Sequence, residues 1–371
     1  MNISCPHFDL CSGCSLNKNV EQLPLIFEAR AFFKEQGAPE IPFRTGSACG
    51  WRCRAKLAVR GSIEEPIIGL FKEKSHEALD IPNCQVHHPA INRAAAILRT
   101  WIQENNIEPY EEKTGLGSLR YVQMTVERAT SKVLLVLVFN QTKEKEIENL
   151  WEDHKDLWHS IWINQNKRRD NIIFGEQWKL VYGQEWLWDT FCGERVCFHP
   201  ASFYQANPEM FEKLLQKIKS TVPQGTSVVE FYSGSGVIGL TLTKQVKSVS
   251  CVEVVPLAEV CFKETYRRLN QSEKEKLLFF KGTSKAHKNL LKPPTTVVVV
   301  DPPRKGLEPE LLEALCVSKN LEMIVYVSCG WKSFTKDCEN LLKSGWKIKE
   351  AEAFLFFPGS EHLEILAIFV R

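Results

Sequence analysis

The sequence predicts an α/β protein in two parts, a β-rich first half and a second half built on a mostly parallel sheet. Three observations carry this. Beyond about residue 200, short apolar runs (SVVEFY, VSCVEVV, LLFF, TTVVVVD, MIVYVSC, then FLFF and EILAIFV) alternate with helical stretches, as strands covered by helices require. Before that point the dominant pattern is strict alternation of polar and apolar residues, the period of half-buried strands. A glycine-rich turn, Gly234-Ser235-Gly236, lies where the first strand of the second half gives way to a helix. The boundary is placed at residue 198, giving domains over 1–198 and 199–371.

Composition narrows the class. With 47 basic and 45 acidic side chains among 371 residues the net charge is +2, so any basic surface has to be local. No apolar run reaches the roughly 18 residues a membrane helix needs. The N-terminus MNISCPHFDL lacks the basic-then-apolar order of a signal peptide, so a cytoplasmic chain with reduced cysteines is expected. Four of its 13 cysteines form a constellation: Cys5, Cys11 and Cys14 in CPHFDLCSGC, with Cys84 in IPNCQVHHP. Three thiolates at that spacing can converge on one centre, and a fourth completes a set suited to zinc or an iron–sulfur cluster.

Along the first half, WRCRAKLAVR puts Trp51, Cys53, Ala55, Leu57 and Val59 on one side of a strand. Arg52, Arg54, Lys56 and Arg60 fall on the other side, a basic ladder for a polyanion backbone or else an ordinary solvated face. A strand pair follows over 119–126 and 133–139, joined by the turn ERATSK. Residues 141–159 read as an amphipathic helix, and Lys167, Arg168 and Arg169 make a basic loop.

In the second half, Gly234, Gly236 and Gly239 match a dinucleotide loop, and Glu253 ends the next strand, placed to hold a ribose. These features fit NAD and S-adenosylmethionine equally. Downstream, Asp301-Pro302-Pro303-Arg304 makes a rigid turn at a strand's carboxyl end. Arg304 stands where methyltransferases of exocyclic amino groups have an aromatic residue. The next strand ends in Tyr326-Val327-Ser328-Cys329-Gly330, setting a thiol at the same sheet edge as Asp301: a nucleophile or a buried structural cysteine.

These motifs, in this order, resemble the RNA uracil-5 methyltransferase family. The matching segments are Phe203-Tyr204-Gln205-Ala206-Asn207, EFYSGSG, DPPRKG, YVSCG with Ser333 and Asp337, and PGSEHLE. The resemblance implies a Rossmann-like, S-adenosylmethionine-dependent methyltransferase domain behind a β-rich N-terminal and central domain that carries an iron–sulfur site. It implies Cys329 as nucleophile and Glu364 as general base, with Gln205, Tyr232, Gly234, Glu253 and Asp301 at the cofactor. Cys5, Cys11, Cys14 and Cys84 match the [4Fe-4S] ligands of the ribosomal branch, which implies 23S rRNA as substrate, with uridine 54 of tRNA as the alternative. A chain starting four residues before Cys5 is expected to be the short form without an N-terminal barrel, acting as a monomer. RNA contacts are then expected from Arg52, Arg54, Lys56, Lys167, Arg168, Arg169 and Arg304. Departures are Gly330-Trp331 where the family usually has Asn-Pro, Val237 after the second glycine, and Leu355 in place of an acidic residue. Two competing readings are an NAD-dependent oxidoreductase, which has no need of Cys329 and Glu364, and a catalytically weak iron–sulfur protein that binds RNA.

The chemistry asks for those two residues on independent grounds. The uracil ring is electron-poor and its C5 a weak nucleophile. A thiolate added at C6 makes C5 reactive, and a base must then remove the C5 proton before the thiolate can leave. The uridine must also leave its stack, which unpaired loops make easiest.

Overall fold

The computed structural model describes residues 1–141, 147–170 and 172–371. Two sheets organise it. The larger runs Phe43–Arg44, Lys347–Phe354, Glu364–Val370, Met323–Ser328, Val297–Val300, Ser227–Phe231, Ser248–Glu253 and Leu277–Lys281. Its pairings are parallel except those of Glu364–Val370, which is antiparallel to both neighbours. The central strands are buried along their whole length, which is why VVVV and MIVYV read as unbroken apolar runs. Helices such as Pro208–Thr221 and Trp331–Lys343 cover the sheet, and Asn207 caps the first by accepting from the Met210 amide at 3.1 Å.

The smaller sheet runs Ala78–Asp80, Pro66–Phe71, Arg54–Gly61, Leu119–Val126, Val133–Phe139, Trp158–Gln165 and Gln177–Gly183. The pair at 119–126 and 133–139 forms as the two runs and the turn between them predict. The helix expected over 141–159 does not: among the described residues only Ile147–Glu152 is helical, and a strand begins at Trp158. Residues 142–146 lie outside the described residues. Trp158, Ile161 and Ile163 are buried in a strand covered on both faces, which buries His159 and Ser160 as well and so leaves no alternation to mark where the strand starts. Among the described residues no helix is long and apolar enough to cross a membrane.

Two features cross the boundary expected at residue 198. The helix Pro24–Glu35 buries Ile26, Ala29 and Phe33 in the same core as Phe334, Leu341 and Trp346, and Phe43–Arg44 adds an edge strand to the larger sheet. The basic ladder is also redirected. Arg54 donates to the carbonyls of Ser202 and Pro200, each at 2.6 Å, and to Oε1 of Gln123 at 3.0 Å. Arg60 donates to the carbonyls of Val59 and Arg120 at 2.8 Å. The alternation places these side chains on the polar side as expected, but residues 200–202 cover Arg54, so it fastens the segment entering the second domain and meets no RNA. Arg54→Ala is expected to leave these acceptors without their donor at a cost of about 2 kcal/mol. A fall of several degrees in the thermal midpoint checks this, and an unchanged midpoint would show that Arg54 holds nothing.

Candidate active site

Strand register assembles the site. Met323–Ser328 and Glu364–Val370 run antiparallel with Ser328 opposite Ile365, so the next residue on one strand, Cys329, comes to the start of the other, Glu364. Val297–Val300 lies on the far side of Met323–Ser328 with Val300 opposite Tyr326, which brings Asp301 to the same edge. Burial pushes the Glu364 carboxyl up to about 8, with Asp301 adding to the rise and Arg304 opposing it. Burial alone raises Asp301 to about 7. Cys329 is driven to about 11, first by burial, then by Glu364 and Asp301, against a smaller pull from Arg304. A thiol, two protonatable carboxyls and one guanidinium thus sense one another directly. Cys329 and Arg304 open onto a cleft of about 630 Å³ that helix Pro24–Glu35 bounds through Pro24, Leu25 and Glu28.

The nucleophile loop is pinned to the Asp301–Arg304 loop. Ser333 Oγ donates to the Arg304 carbonyl at 2.8 Å, and a Cβ on Gly330 would stand 2.6 Å from that oxygen. Asp337 accepts from the Leu307 amide at 2.9 Å and the Tyr326 hydroxyl at 2.8 Å, tying DPPRKGL to the strand that ends in Cys329. Glycine at position 330 therefore lets two loops touch, where any side chain would part them.

Of the residues expected at the cofactor, Gly234 and Glu253 are joined directly at the glycine loop. Gly234 and Gly236 have φ of +54° and +77°, and at Gly236 a Cβ would also strike the Phe262 ring at 2.7 Å. Glu253 reaches back from its strand to accept the Gly234 amide at 2.9 Å, with Val254 and Val255 amides at 2.8 and 2.9 Å on its other oxygen. Tyr232 is held at φ +62°, its hydroxyl accepting the Glu308 amide at 3.1 Å and lying 3.3 Å from Ser284 Oγ. In the FYQ segment, Tyr204 is buried with its hydroxyl donating to Asp189 at 2.6 Å, while Phe203 is 73% exposed and Gln205 half-buried. Val237 opens the helix behind the glycine loop, and Leu355 is buried in the core.

Glu230 is a residue that the sequence reading passed over. It is 1% exposed, burial raises it to about 8, and it accepts the Gly239 amide at 2.8 Å, anchoring the glycine loop from below. A carboxylate inside the apolar run SVVEF was its signal, the same one that marked Glu364.

Cys5, Cys11, Cys14 and Cys84 line one cavity of about 210 Å³, together with Arg52 and Lys56. Burial, then repulsion from Cys84, Cys11 and Cys5, pushes Cys14 to about 11, eased by Arg52. Among the described residues no group of three or more His, Cys, Asp or Glu side chains is drawn together tightly enough to hold a metal ion. Arg52 lies 4.6 Å over the Trp51 ring, beside the thiols, and belongs to this cavity more than to a docking face. Lys56 is exposed above Phe174 at 4.9 Å, and Lys167, Arg168 and Arg169 are exposed on the loop after Trp158–Gln165.

Known proteins place this arrangement. The solved tRNA (uracil-54, C5)-methyltransferase of Pyrococcus abyssi, in complex with S-adenosyl-L-homocysteine, superposes with a TM-score of 0.78 at 24% identity, over 97% of this chain and 86% of that one. The fold is that of the S-adenosylmethionine-dependent methyltransferases. A family model described as tRNA (Uracil-5-)-methyltransferase matches residues 287–371, which span Asp301, Cys329 and Glu364. An RNA methyltransferase of Protochlamydia amoebophila, named as uncharacterized, is 44% identical over 100% of this chain and 98% of its own length. Another, from Caldanaerobacter subterraneus, is 30% identical over 100% of this chain and 84% of its own. The chain belongs to the RNA methyltransferases, with a C-terminal segment similar to the tRNA (uracil-5-)-methyltransferases, and it is an S-adenosylmethionine-dependent RNA methyltransferase.

Gly330→Ala tests the loop contact. Pushing the Arg304 carbonyl away displaces Cys329 and Arg304 relative to each other, and a shift of that size is expected to lower kcat about 10- to 100-fold. The thermal midpoint should move little, and steady-state kinetics beside a melt would separate the two effects.

Proposed function

We propose that the protein methylates C5 of an unpaired uridine in 23S rRNA, through a covalent bond between Cys329 and C6. The observation that carries this is the register that sets Cys329 opposite Glu364, with Asp301 on the adjoining strand. When bound, S-adenosylmethionine supplies the methyl group and a positive charge that favours the ionised forms of the thiol and both carboxyls. Cys329 loses its proton to solvent in the cleft and its sulfur bonds to C6, the C5–C6 π pair moving through C4 onto the carbonyl oxygen as an enolate. C5 then takes the methyl. Glu364 as carboxylate removes the C5 proton, the double bond re-forms, and the C6–sulfur bond breaks to return Cys329. Gln205, Tyr232, Gly234, Glu253 and Asp301 hold the cofactor, and Arg304 offsets negative charge on the ring or a phosphate. Lys56 and residues 167–169 supply phosphate contacts farther out.

The four cysteines fit a [4Fe-4S] cluster better than a single ion. They line a cavity of about 210 Å³, and a cluster needs a wider cage than zinc with its sulfurs at about 2.3 Å. Cys5, Cys11, Cys14 and Cys84 would hold it, with Arg52 offsetting the thiolate charge. Because methyl transfer moves no net electron to a redox centre, its role is to fix local structure. The rRNA preference rests on this same cysteine set, as does the choice against tRNA.

Labelled S-adenosylmethionine offered with unmodified 23S rRNA and unmodified tRNA tests the substrate: label should enter the rRNA at C5 of uracil, and label confined to tRNA would reverse the assignment. Cys329→Ala should abolish transfer. Glu364→Gln should instead trap a protein–RNA adduct that survives denaturing electrophoresis, because the thiolate leaves only once the C5 proton is gone. Since base and nucleophile must both be unprotonated, wild-type kcat/KM should climb as pH rises through about 8, the value to which burial lifts Glu364, and go on climbing toward about 11, the value of Cys329. A kcat/KM that falls between about pH 7 and 9 would exclude Glu364 as the base. Anaerobically prepared protein should contain iron and acid-labile sulfide, and zinc alone would remove the cluster.

A further inference from the structure

We propose that Trp331 is the wall of a nucleobase subsite beside Cys329, stacking the base that flanks the target uridine. The inference rests on uracil in RNA being the substrate, and adds a contact that neither the chemistry nor the cofactor requires. Trp331 is half-buried and lines the cleft that holds Cys329 and Arg304. Part of its indole is spent inside the protein: it meets Phe32 edge-on at 5.4 Å and stacks on Phe334 at 5.8 Å with 25° between the planes. Phe33 lies 6.3 Å away. Three rings from two helices thus hold the indole in place, and what they leave uncovered belongs to the cleft.

A flat, immobilised ring is what the neighbour of an extruded base needs. Extruding a uridine leaves its neighbour without a stacking partner, a loss of a few kcal/mol that the enzyme has to offset. An aromatic face offsets it whatever the neighbouring base, because every base has a π-face, and a ring already fixed loses little freedom on stacking. Arg304 and Lys332 are exposed along the same cleft and can meet the phosphates on either side of the extruded nucleotide. Glu28 and Glu361 also face the cleft, so its cationic stretch is short and suits a local turn of backbone, not a long duplex. The neighbouring Gly330 completes the arrangement: lacking a side chain, it lets the Arg304 backbone close against the turn that joins Cys329 to Trp331.

The test compares Trp331→Ala, Trp331→Leu and Trp331→Phe. Affinity for a short RNA hairpin with a uridine-containing loop is read by fluorescence anisotropy, apart from methyl transfer. S-adenosylmethionine affinity and the thermal midpoint are measured alongside. Loss of the π-face should weaken RNA binding and raise KM for RNA about tenfold in the Ala and Leu variants. Cofactor affinity should not change, and Leu should keep the wild-type midpoint because it retains apolar packing against Phe32. Phe should restore most of the RNA affinity. Wild-type RNA affinity in Trp331→Leu would overturn the proposal, as would losses in both variants that track the midpoint alone. If the wild-type protein binds the hairpin but never methylates uracil, the uracil reading fails, while the affinities of the variants still decide the role of Trp331.

Discussion

The antiparallel pairing of Met323–Ser328 with Glu364–Val370 is the constraint on which the site depends. In an otherwise parallel sheet every strand presents its carboxyl end to the ligand crevice. One reversed strand presents its amino end there instead, and so a residue that begins a strand, Glu364, stands among residues that follow strands, Cys329 and Asp301. A slip of one residue in this register would turn Glu364 to the other face of the sheet and leave Cys329 without a neighbouring base. The register is fixed by burial on both faces: Ile365, Leu366, Ala367, Ile368 and Phe369 are all at most 1% exposed, which leaves no alternative pairing that keeps them dry.

The cysteine-bearing segment acts on this same strand. The amides of Ser15 and Leu16 donate to the Gly359 carbonyl at 2.8 and 3.0 Å, and Gly359, at φ +94°, brings its Cα close to the Cys14 sulfur, where a Cβ would stand 3.1 Å away. Phe357 packs on Trp51 at 5.7 Å between ring centroids. The loop that leads into Glu364 is therefore clamped by the segment around Cys14 and by Trp51, just ahead of the strand Arg54–Gly61. A group bound by the four thiols would stiffen the approach to Glu364 while standing apart from Cys329.

Legibility differed by kind of signal. Strands bounded by polar turns, such as 119–126, were readable to the residue, and so were the runs of the parallel sheet, because the burial that makes them apolar is the burial they undergo. Cys329 and Glu364 stood out as chemistry out of place, a thiol after a strand and a carboxylate in an apolar run. What could not be read was tertiary cover. Arg54 and Lys56 are equivalent in the alternation, yet one is enclosed by residues 200–202 and the other exposed. Nor could helix Pro24–Glu35 be assigned to the second sheet, since its apolar stripe shows that it needs a partner and not which one.

That helix also bears on how a chain of net charge +2 handles a polyanion. Much of its positive charge is turned inward: Arg54 and Arg60 bind backbone carbonyls, Arg120 donates to the carbonyls of Asn166 and Arg168, and Arg52 sits by the thiols. A guanidinium with several donors is well suited to fastening loops, and once so used it is lost to phosphate. The cations left at the reaction cleft are few, Arg304 and Lys332, and Glu28 on helix Pro24–Glu35 offsets part of their charge. Recognition there cannot rely on a broad electrostatic field. Shape and stacking have to supply what charge does not, and Phe32, Phe33 and Phe334 are the residues that convert a packed helix pair into a fixed aromatic surface at the mouth of the site.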